Sequence, residues 1–537
     1  MKYKKQIRIP AIIIIALILV ISGVHFGLQG WLNKQLPELL NKNPHRKYNI
    51  TYAHTNLNLI QQNLVIKDVN IIELNDSVKA STIRLKTFKV INLHLQKLFF
   101  NKEIETQNLI VENPVFNITV HQDKIDQKEE KVNEIWTDIF TRISIKNLEI
   151  RNAIVKLINV QDSLPELEID NLDLKIKGFA VDTTTLKNPL PLNFKQIAAS
   201  CFNTKIRVDT IGLLKIEKIS LTDKSVKLLN SSLQPSMTQY EFLDVERKKD
   251  DWFTFDMNKL ALNDFSWSFS TDGVPIFKAS SFQLDSIVMH SLTDKRYPKE
   301  HNGYKPLLAE IFRSLPVKFQ LDSFRVVNSA IYSETRPANN DTTGIAYFDN
   351  LFVSGYNLHN NSELIQDTEF DILCRFMGQA TMKARYTMNV NDMQDRFRLK
   401  GNLKNLTTES VNKILQPLAD IETAGQLYGI DFDILADNKQ STGTVDFEYN
   451  NLKIKVMNRS TSKKNVIISA LSNLALRRSN VRSDKNFRQG RIKLERDPEK
   501  SIFGYVWDSV KDGLMDTLVP FNINWENQQS KRKKRKG

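Results

Sequence analysis

From residue 48 to residue 457 apolar and polar residues repeatedly alternate one by one. Leu57-x-Leu59, Leu64-x-Ile66, Ile83-x-Leu85, Leu93-x-Leu95, Leu109-x-Val111 and Phe116-x-Ile118 open the series. The same texture returns over 143–176, 204–230, 252–290, 317–358, 368–403 and 427–457. Successive side chains of a strand point to opposite faces, so this period specifies strands with one apolar and one wet face. Enrichment in Val, Ile, Phe and Thr points the same way. The expected fold class is mainly β: an elongated, curled sheet with short interrupting helices.

Those helices are marked by a change of period. Residues 128–142 put Val132, Ile135, Trp136, Ile139 and Phe140 on one helical face. Residues 306–314 begin with Pro306, which suits the first turn of a helix. Residues 408–419 open with a Thr-Glu-Ser capping signature. Residues 501–518 place Ile502, Phe503, Val506, Trp507, Val510, Leu514 and Leu518 on one face, as a lid on the sheet end or a membrane-surface helix.

A recurring pattern, apolar-x-apolar-x-Asn/Asp followed by x-x-apolar-x-apolar, interrupts the alternation. Leu109 to Ile118, Leu148 to Leu157, Ile219 to Leu228 and Leu260 to Phe269 fit it fully. Leu64 to Glu73 and Phe324 to Ser333 fit except at the last position. About two full matches are expected by chance, so the repeat is a weak sign of modular duplication. Its physical content is a slip of parity. The strand must bulge, kink or turn at the Asn or Asp, residues that tolerate unusual backbone angles.

Ile9 to Leu28 (IPAIIIIALILVISGVHFGL) carries no formal charge. Twenty such residues rise about 30 Å as a helix, enough to cross a bilayer core. Lys2, Lys4, Lys5 and Arg8 precede them, which holds the N-terminus in the cytoplasm and sends the body outside. A cleaved signal peptide is the rival, but Val20-Ile21-Ser22 is a poor cleavage site. The expected organisation is a basic stub at 1–8, a transmembrane helix at 9–28 and a connecting helix at 29–47. An N-terminal β segment follows at 48–142, central β repeats at 143–404 and a C-terminal β segment at 405–500. An amphipathic helix at 501–520 and a basic tail at 521–537 end the chain.

The net charge of +14 is concentrated at the ends. The four basic residues of the stub and the run Lys531 to Lys536 carry ten of it, so a nucleic-acid-binding body is not implied. The terminal run reads as a solvated tail or as a contact for anionic headgroups. Cys201 and Cys374 are too few for a disulfide framework and read as buried small residues. The eight histidines show no H-x-x-x-H spacing, and neither a nucleophile elbow nor a phosphate-binding loop occurs. Asp431 and Asp433 alternate with Ile430, Phe432 and Ile434, and so read as the wet face of a strand. No enzyme, metal or cofactor is expected.

The order of these features resembles the AsmA-like family of Gram-negative envelope proteins, grouped with TamB among bridge-like lipid-transfer proteins. The resemblance rests on the single anchor, the short helix after it and the strand pair Tyr48 to Ile71. It rests also on the apolar-Glu-Asn-Pro-apolar element at Leu109 to Ile118, the closing pair around Gly443 to Ile454 and the helix at 501–518. It implies an inner-membrane-anchored, periplasmic repeating β-groove that contacts phospholipid or supports outer-membrane assembly, with envelope proteins as partners. The family carries no catalytic signature.

A long curled sheet can keep an apolar trough occupied by acyl chains. About 24 strands at 4.8 Å would extend on the order of 115 Å. The candidate lining residues are Leu109, Val111, Leu148, Ile150, Leu260 and Leu262, with Ile110, Glu149 and Ala261 facing outward. Which parity faces inward is not set by the sequence. The rival is a scaffold of closed β-sandwiches that binds nothing along its apolar faces.

Overall fold

The computed structural model describes residues 29–30, 41, 48–74, 80–120, 141–208, 212–235, 237–238, 241, 251–297, 303–338, 342–361, 364, 366–456 and 476–518. The segment 9–28, most of 29–47, residues 121–140, which hold most of the expected helix 128–142, and the tail from 519 lie outside the described residues. Strands account for 64% of the structure and helices for 12%. No described helix is long and apolar enough to cross a membrane. The chain divides into two units, Met1–Leu229 and Asn230–Gly537.

The first unit contains β1 (Tyr48–Thr51), β2 (His54–Asn58), β3 (Asn63–Glu73), β4 (Thr82–Leu93), β5 (Glu103–Glu112) and β6 (Val115–Val120). β7 (Arg142–Asn159), β8 (Pro165–Asp182), β9 (Gln196–Arg207) and β10 (Gly212–Thr222) follow. β1 and β2 both pair with β3, β3 with β4, and β4 with the broken strand β5–β6, all antiparallel. β5 and β6 then run parallel to β7, which needs the long connection between residues 120 and 142. β7 to β10 continue as antiparallel neighbours.

The parity slips fall where the Asn/Asp pattern puts them. Asp68, Asn113, Asn152, Asp264 and Asn328 all adopt left-handed backbone angles, with φ between 48° and 55°. Ile219 to Leu228 instead turns between β10 and β11 (Ser225–Pro235), where the Thr222 hydroxyl accepts from the Ser225 amide. Asn and Asp enter this region at the lowest cost among side chains with a Cβ. One extra residue breaks the two-residue repeat, so positions three apart face the same way. In β7 Ala153 is therefore fully buried, three residues after Ile150, while Ile154 is 36% exposed.

These bulges align across strands. The constant register between β5–β6 and β7 sets Asn113 beside Asn152, and Asp68 and Lys86 interrupt the β3–β4 ladder on the same line. A second line joins Asn92, Gln107, Lys146 and Gly178. Each line is a crease at which every strand changes parity together, so one face of the sheet stays apolar across it.

The second unit contains β12 (Asp251–Asn263), β13 (Ser266–Phe269) and β14 (Pro275–Asp294), with β12 and β13 both antiparallel to β14. β15 (Lys318–Arg336) runs parallel to β14 after a connection that contains α1 (Leu308–Arg313). An antiparallel meander follows through β16 (Gly344–His359), β17 (Thr368–Phe376), β18 (Ala380–Met388) and β19 (Phe397–Lys404). β20 (Ile421–Ala436), β21 (Gln440–Val456) and β22 (Gly490–Glu495) complete it. Ser286 and Asn328, both left-handed, occupy one register position of β14 and β15, repeating the crease of the first unit.

α2 (Thr408–Ala419) matches its expected range, although the cap is Thr407, whose hydroxyl accepts from the Ser410 amide at 3.2 Å. α1 is shorter than the expected 306–314. α3 (Ile502–Leu518) lies on β21 and β22, as a lid on the sheet end would. Its buried stripe matches the expected one only in part. Tyr505, Ser509, Gly513, Thr517 and Leu518 are buried, while Phe503 is 73% and Trp507 51% exposed. Gly513 decides this: a Cβ there would come within 2.5 Å of the Val445 side chain, so the helix approaches the sheet along its small residues. Ile502, Val506, Val510 and Leu514 flank that stripe and join the core, leaving two of the apolar residues outside.

Candidate functional site

The pairing registers bring the candidate lining residues of the first unit onto one face. Leu109 lies opposite Leu148, and Val111 opposite Ile150, in the parallel ladder of β5 and β7. On one side Val90 and Phe88 meet Leu109 and Val111, and Leu64 and Ile66 meet those in turn. On the other side Ile176 and Leu174 meet Leu148 and Ile150. Two apolar rows therefore cross the sheet between the creases, one through Leu109 and Leu148, the other through Val111 and Ile150. A third row beyond the crease runs from Ala153 through Leu172 and Cys201 to Ile219.

The opposite face is ionic. Lys89 Nζ lies 3.1 Å from Glu112, whose other neighbour is Arg151 at 3.8 Å, and Arg151 bonds Glu149 at 2.5 Å. Further along, Glu168 bridges Lys156 at 3.0 Å and Lys205 at 3.5 Å. The hydrogen bond from Lys156 holds the Glu168 carboxyl below its ordinary range, with partial burial opposing. The ladder therefore lies on the face opposite the two apolar rows.

The apolar face of the first unit is only partly covered. Val111 is 8% exposed, whereas Leu109, Leu148 and Ile150 are intermediate. Both clusters of fully buried hydrophobic residues found among the described residues lie between Leu307 and Leu518. The rows of the second unit run into that closed core. Leu260 and Leu262 face Leu284 and Phe282 in β14, which face Val326 and Phe324 in β15. The rows continue through Ile372 and Phe370 to Ile434 and Val445, beneath α3. Ala261, placed outward by its parity, is nevertheless only 4% exposed. Ile110 and Glu149 lie on the ionic face with intermediate burial.

In each unit side chains bond to backbone groups along a strand edge. At the first strands, Gln29 accepts from the Leu57 amide at 2.8 Å and donates to Thr55. Asn41 accepts from the Ile50 amide at 2.9 Å and donates to its carbonyl at 2.7 Å. At β22, Asp516 accepts from the Arg491 amide and Asp512 from the Lys493 amide, each at 2.9 Å. Unpaired edge groups invite pairing with another chain, and side chains here occupy them. Alternation could not find Gln29, Asn41, Asp512 or Asp516, because their partners are distant backbone groups. It could have found Phe88, Val90, Leu174 and Ile176, which carry the same pattern.

Asp431 and Asp433 lie on the wet face, as expected. Asp433 bonds Arg398 at 2.6 Å, and Asp431 pairs with Arg482. Cys374 is buried, and burial together with nearby Asp349 pushes its thiol up to about 12. Cys201 is only half-buried, and lies in an apolar row.

No protein-family model matches this chain, and no curated protein matches it. The rows, the ladder and the edge bonds therefore carry the functional argument.

Proposed function

We propose that the chain is a membrane-anchored envelope protein whose first unit binds phospholipid acyl chains along its apolar β-face and passes them between membranes or toward outer-membrane assembly. One observation carries the reading: the rows through Leu109–Leu148 and Val111–Ile150 are continuous and only partly covered, Val111 being buried and Leu109, Leu148 and Ile150 intermediate, with an ion-paired ladder behind them. Removing an acyl chain from water contributes about 0.8 kcal/mol per CH₂, so such a face holds a tail without any catalytic group. The curled groove, the inner-membrane anchor at 9–28 and the periplasmic location belong to this proposal. Gln29, one residue past the apolar stretch, bonds β2, so the rows begin where the chain would leave the bilayer.

A non-catalytic scaffold is the second reading, and the closed core of residues 307–518 favours it for the second unit. The experiment is mass spectrometry of lipids that co-purify with the full chain. Leu109→Asp, Val111→Asp, Leu148→Asp and Ile150→Asp should express, resist proteolysis nearly as well as the parent and lose bound lipid. Ile110→Asp on the ionic face should keep it. A parent free of lipid, with row variants that unfold outright, would make the scaffold the better account.

A further inference from the structure

We infer that the outer face of α3 seats on the headgroup region of an anionic phospholipid bilayer. The inference concerns the second unit alone, and it stands whether or not the rows of the first unit carry acyl chains.

The helix has two unlike sides. Tyr505, Ser509, Gly513 and Thr517 form the buried stripe against β21 and β22. Phe503, Trp507 one turn on and Lys511 a turn further lie on the other side, and all three are exposed. A helix that served only as a lid would bury its aromatic rings and leave Ser, Gly and Thr in water. Trp and Phe are the side chains that an amphipathic helix sets into the boundary between headgroups and acyl chains.

The acids of α3 are turned away from that side. Asp508, Asp512 and Asp516 would repel an anionic surface if they faced it. Asp508 instead pairs with Lys500 and, at 2.9 Å, with Lys511, and its side chain is 15% exposed. Asp512 accepts from the Lys493 amide of β22 at 2.9 Å. Asp516 accepts from the Arg491 amide and lies 3.3 Å from Arg488. The outer stripe from Phe503 to Lys511 therefore presents two aromatic rings and an ammonium group, and no carboxylate.

Charge complementarity selects the occupant. The run Lys531 to Lys536 carries six positive charges and begins 13 residues after Leu518, with one acid, Glu526, between them. A connection of that length reaches at most about 45 Å, so the run can meet the surface on which α3 lies. Basic residues next to an anionic leaflet each add to the attraction, and an aromatic stripe takes the apolar boundary beneath. The two signals together hold a helix on a surface where either alone is marginal.

The fluorescence of Trp507, taken as the difference between the parent and Trp507→Phe, tests the inference. The purified full chain, held in a phosphatidylcholine nanodisc, is mixed with vesicles of phosphatidylglycerol and dibromo-phosphatidylcholine. Bromines on the acyl chains quench a tryptophan that enters the boundary. The Trp507 signal should shift to the blue and fall by at least about half. Vesicles of dibromo-phosphatidylcholine alone should quench it at least about threefold less, and so should the mixed vesicles when glutamine replaces all six residues of 531–536. Phe503→Ser should also reduce the quenching; Phe503 is exposed, so this variant should fold as the parent does, and circular dichroism checks it. An unquenched Trp507 in the mixed vesicles would overturn the inference, as would equal quenching without phosphatidylglycerol. A blue shift that grows with protein concentration in the absence of vesicles would also overturn it, making the face an interface between copies of the chain.

Discussion

Asn152 donates its side-chain amide to the Asn113 side-chain carbonyl at 3.3 Å, and both residues are left-handed at one register position of neighbouring parallel strands. The crease of the first unit is thus stitched by the residues that make it. A Cβ-bearing residue other than Asn or Asp costs about 1–2 kcal/mol in this conformation. Asn113→Ala and Asn152→Ala should each lower stability by about 1 kcal/mol, and the glycine variants should be close to neutral. Asn152→Val should cost more. Thermal unfolding followed by circular dichroism would show the order Gly, Ala, Val; equal losses for all three would mean the backbone angle is not the cause.

The small-residue contact of α3 gives the second prediction. At Gly513 even a methyl group would meet Val445. Gly513→Leu should force the helix off the sheet, at a cost of about 1–3 kcal/mol. Limited proteolysis should then cut within 502–518, while Phe503→Ser, at an exposed position, leaves the helix protected.

Edge capping gives a third. With Asp512→Ala and Asp516→Ala combined, the amides of Arg491 and Lys493 lose their acceptors. Each lost bond costs about 0.5–1.5 kcal/mol, since water can reach these exposed amides, and the bared edge can pair with a second chain. Light scattering should show concentration-dependent self-association absent from the parent. A strictly monomeric double variant would show that these carboxylates do not guard the edge.

The pH dependence of α3 has a definite sign. Burial would raise the Asp508 carboxyl, but its bonds to Lys500 and Lys511 outweigh that and hold it below the ordinary value. A lowered folded value contributes stability that is present above the unfolded carboxylate range, near pH 4, and is lost as pH falls through the folded value. Helix protection measured by hydrogen exchange should fall as pH drops below about 4, and Asp508→Asn should flatten that part of the profile.

The two thiols report on the apolar face without any added label site. Cys374 is buried and its thiol is pushed up to about 12, so it should resist maleimide at pH 7 until the protein is denatured. Cys201, half-buried beside Leu172 and Ile219, should react first, though slowly, because burial raises its thiol as well. Phosphatidylglycerol vesicles should slow Cys201 in the parent and not in Leu148→Asp. Equal protection in both would separate lipid contact from the apolar rows.

Much of the chain was legible from local pattern, because period and bulge are local properties. Alternation specified the strands, 22 among the described residues against an expected 24 or so. The Asn and Asp residues marked where parity slips, since few other side chains enter the left-handed region. The same alternation put Asp431 and Asp433 on the wet side. What pattern could not decide depends on partners far away in sequence. Ile150 faces Val111 and Leu174 only because β7 pairs parallel on one side and antiparallel on the other. Gly513 lets α3 approach Val445 along its small residues, and Phe503 and Trp507 then point outward, against their own hydrophobicity. Whether an apolar face is covered or half-open is likewise a property of the assembled layers: Leu148 and Ile434 read alike in sequence, and only α3 and the meander around it bury the second.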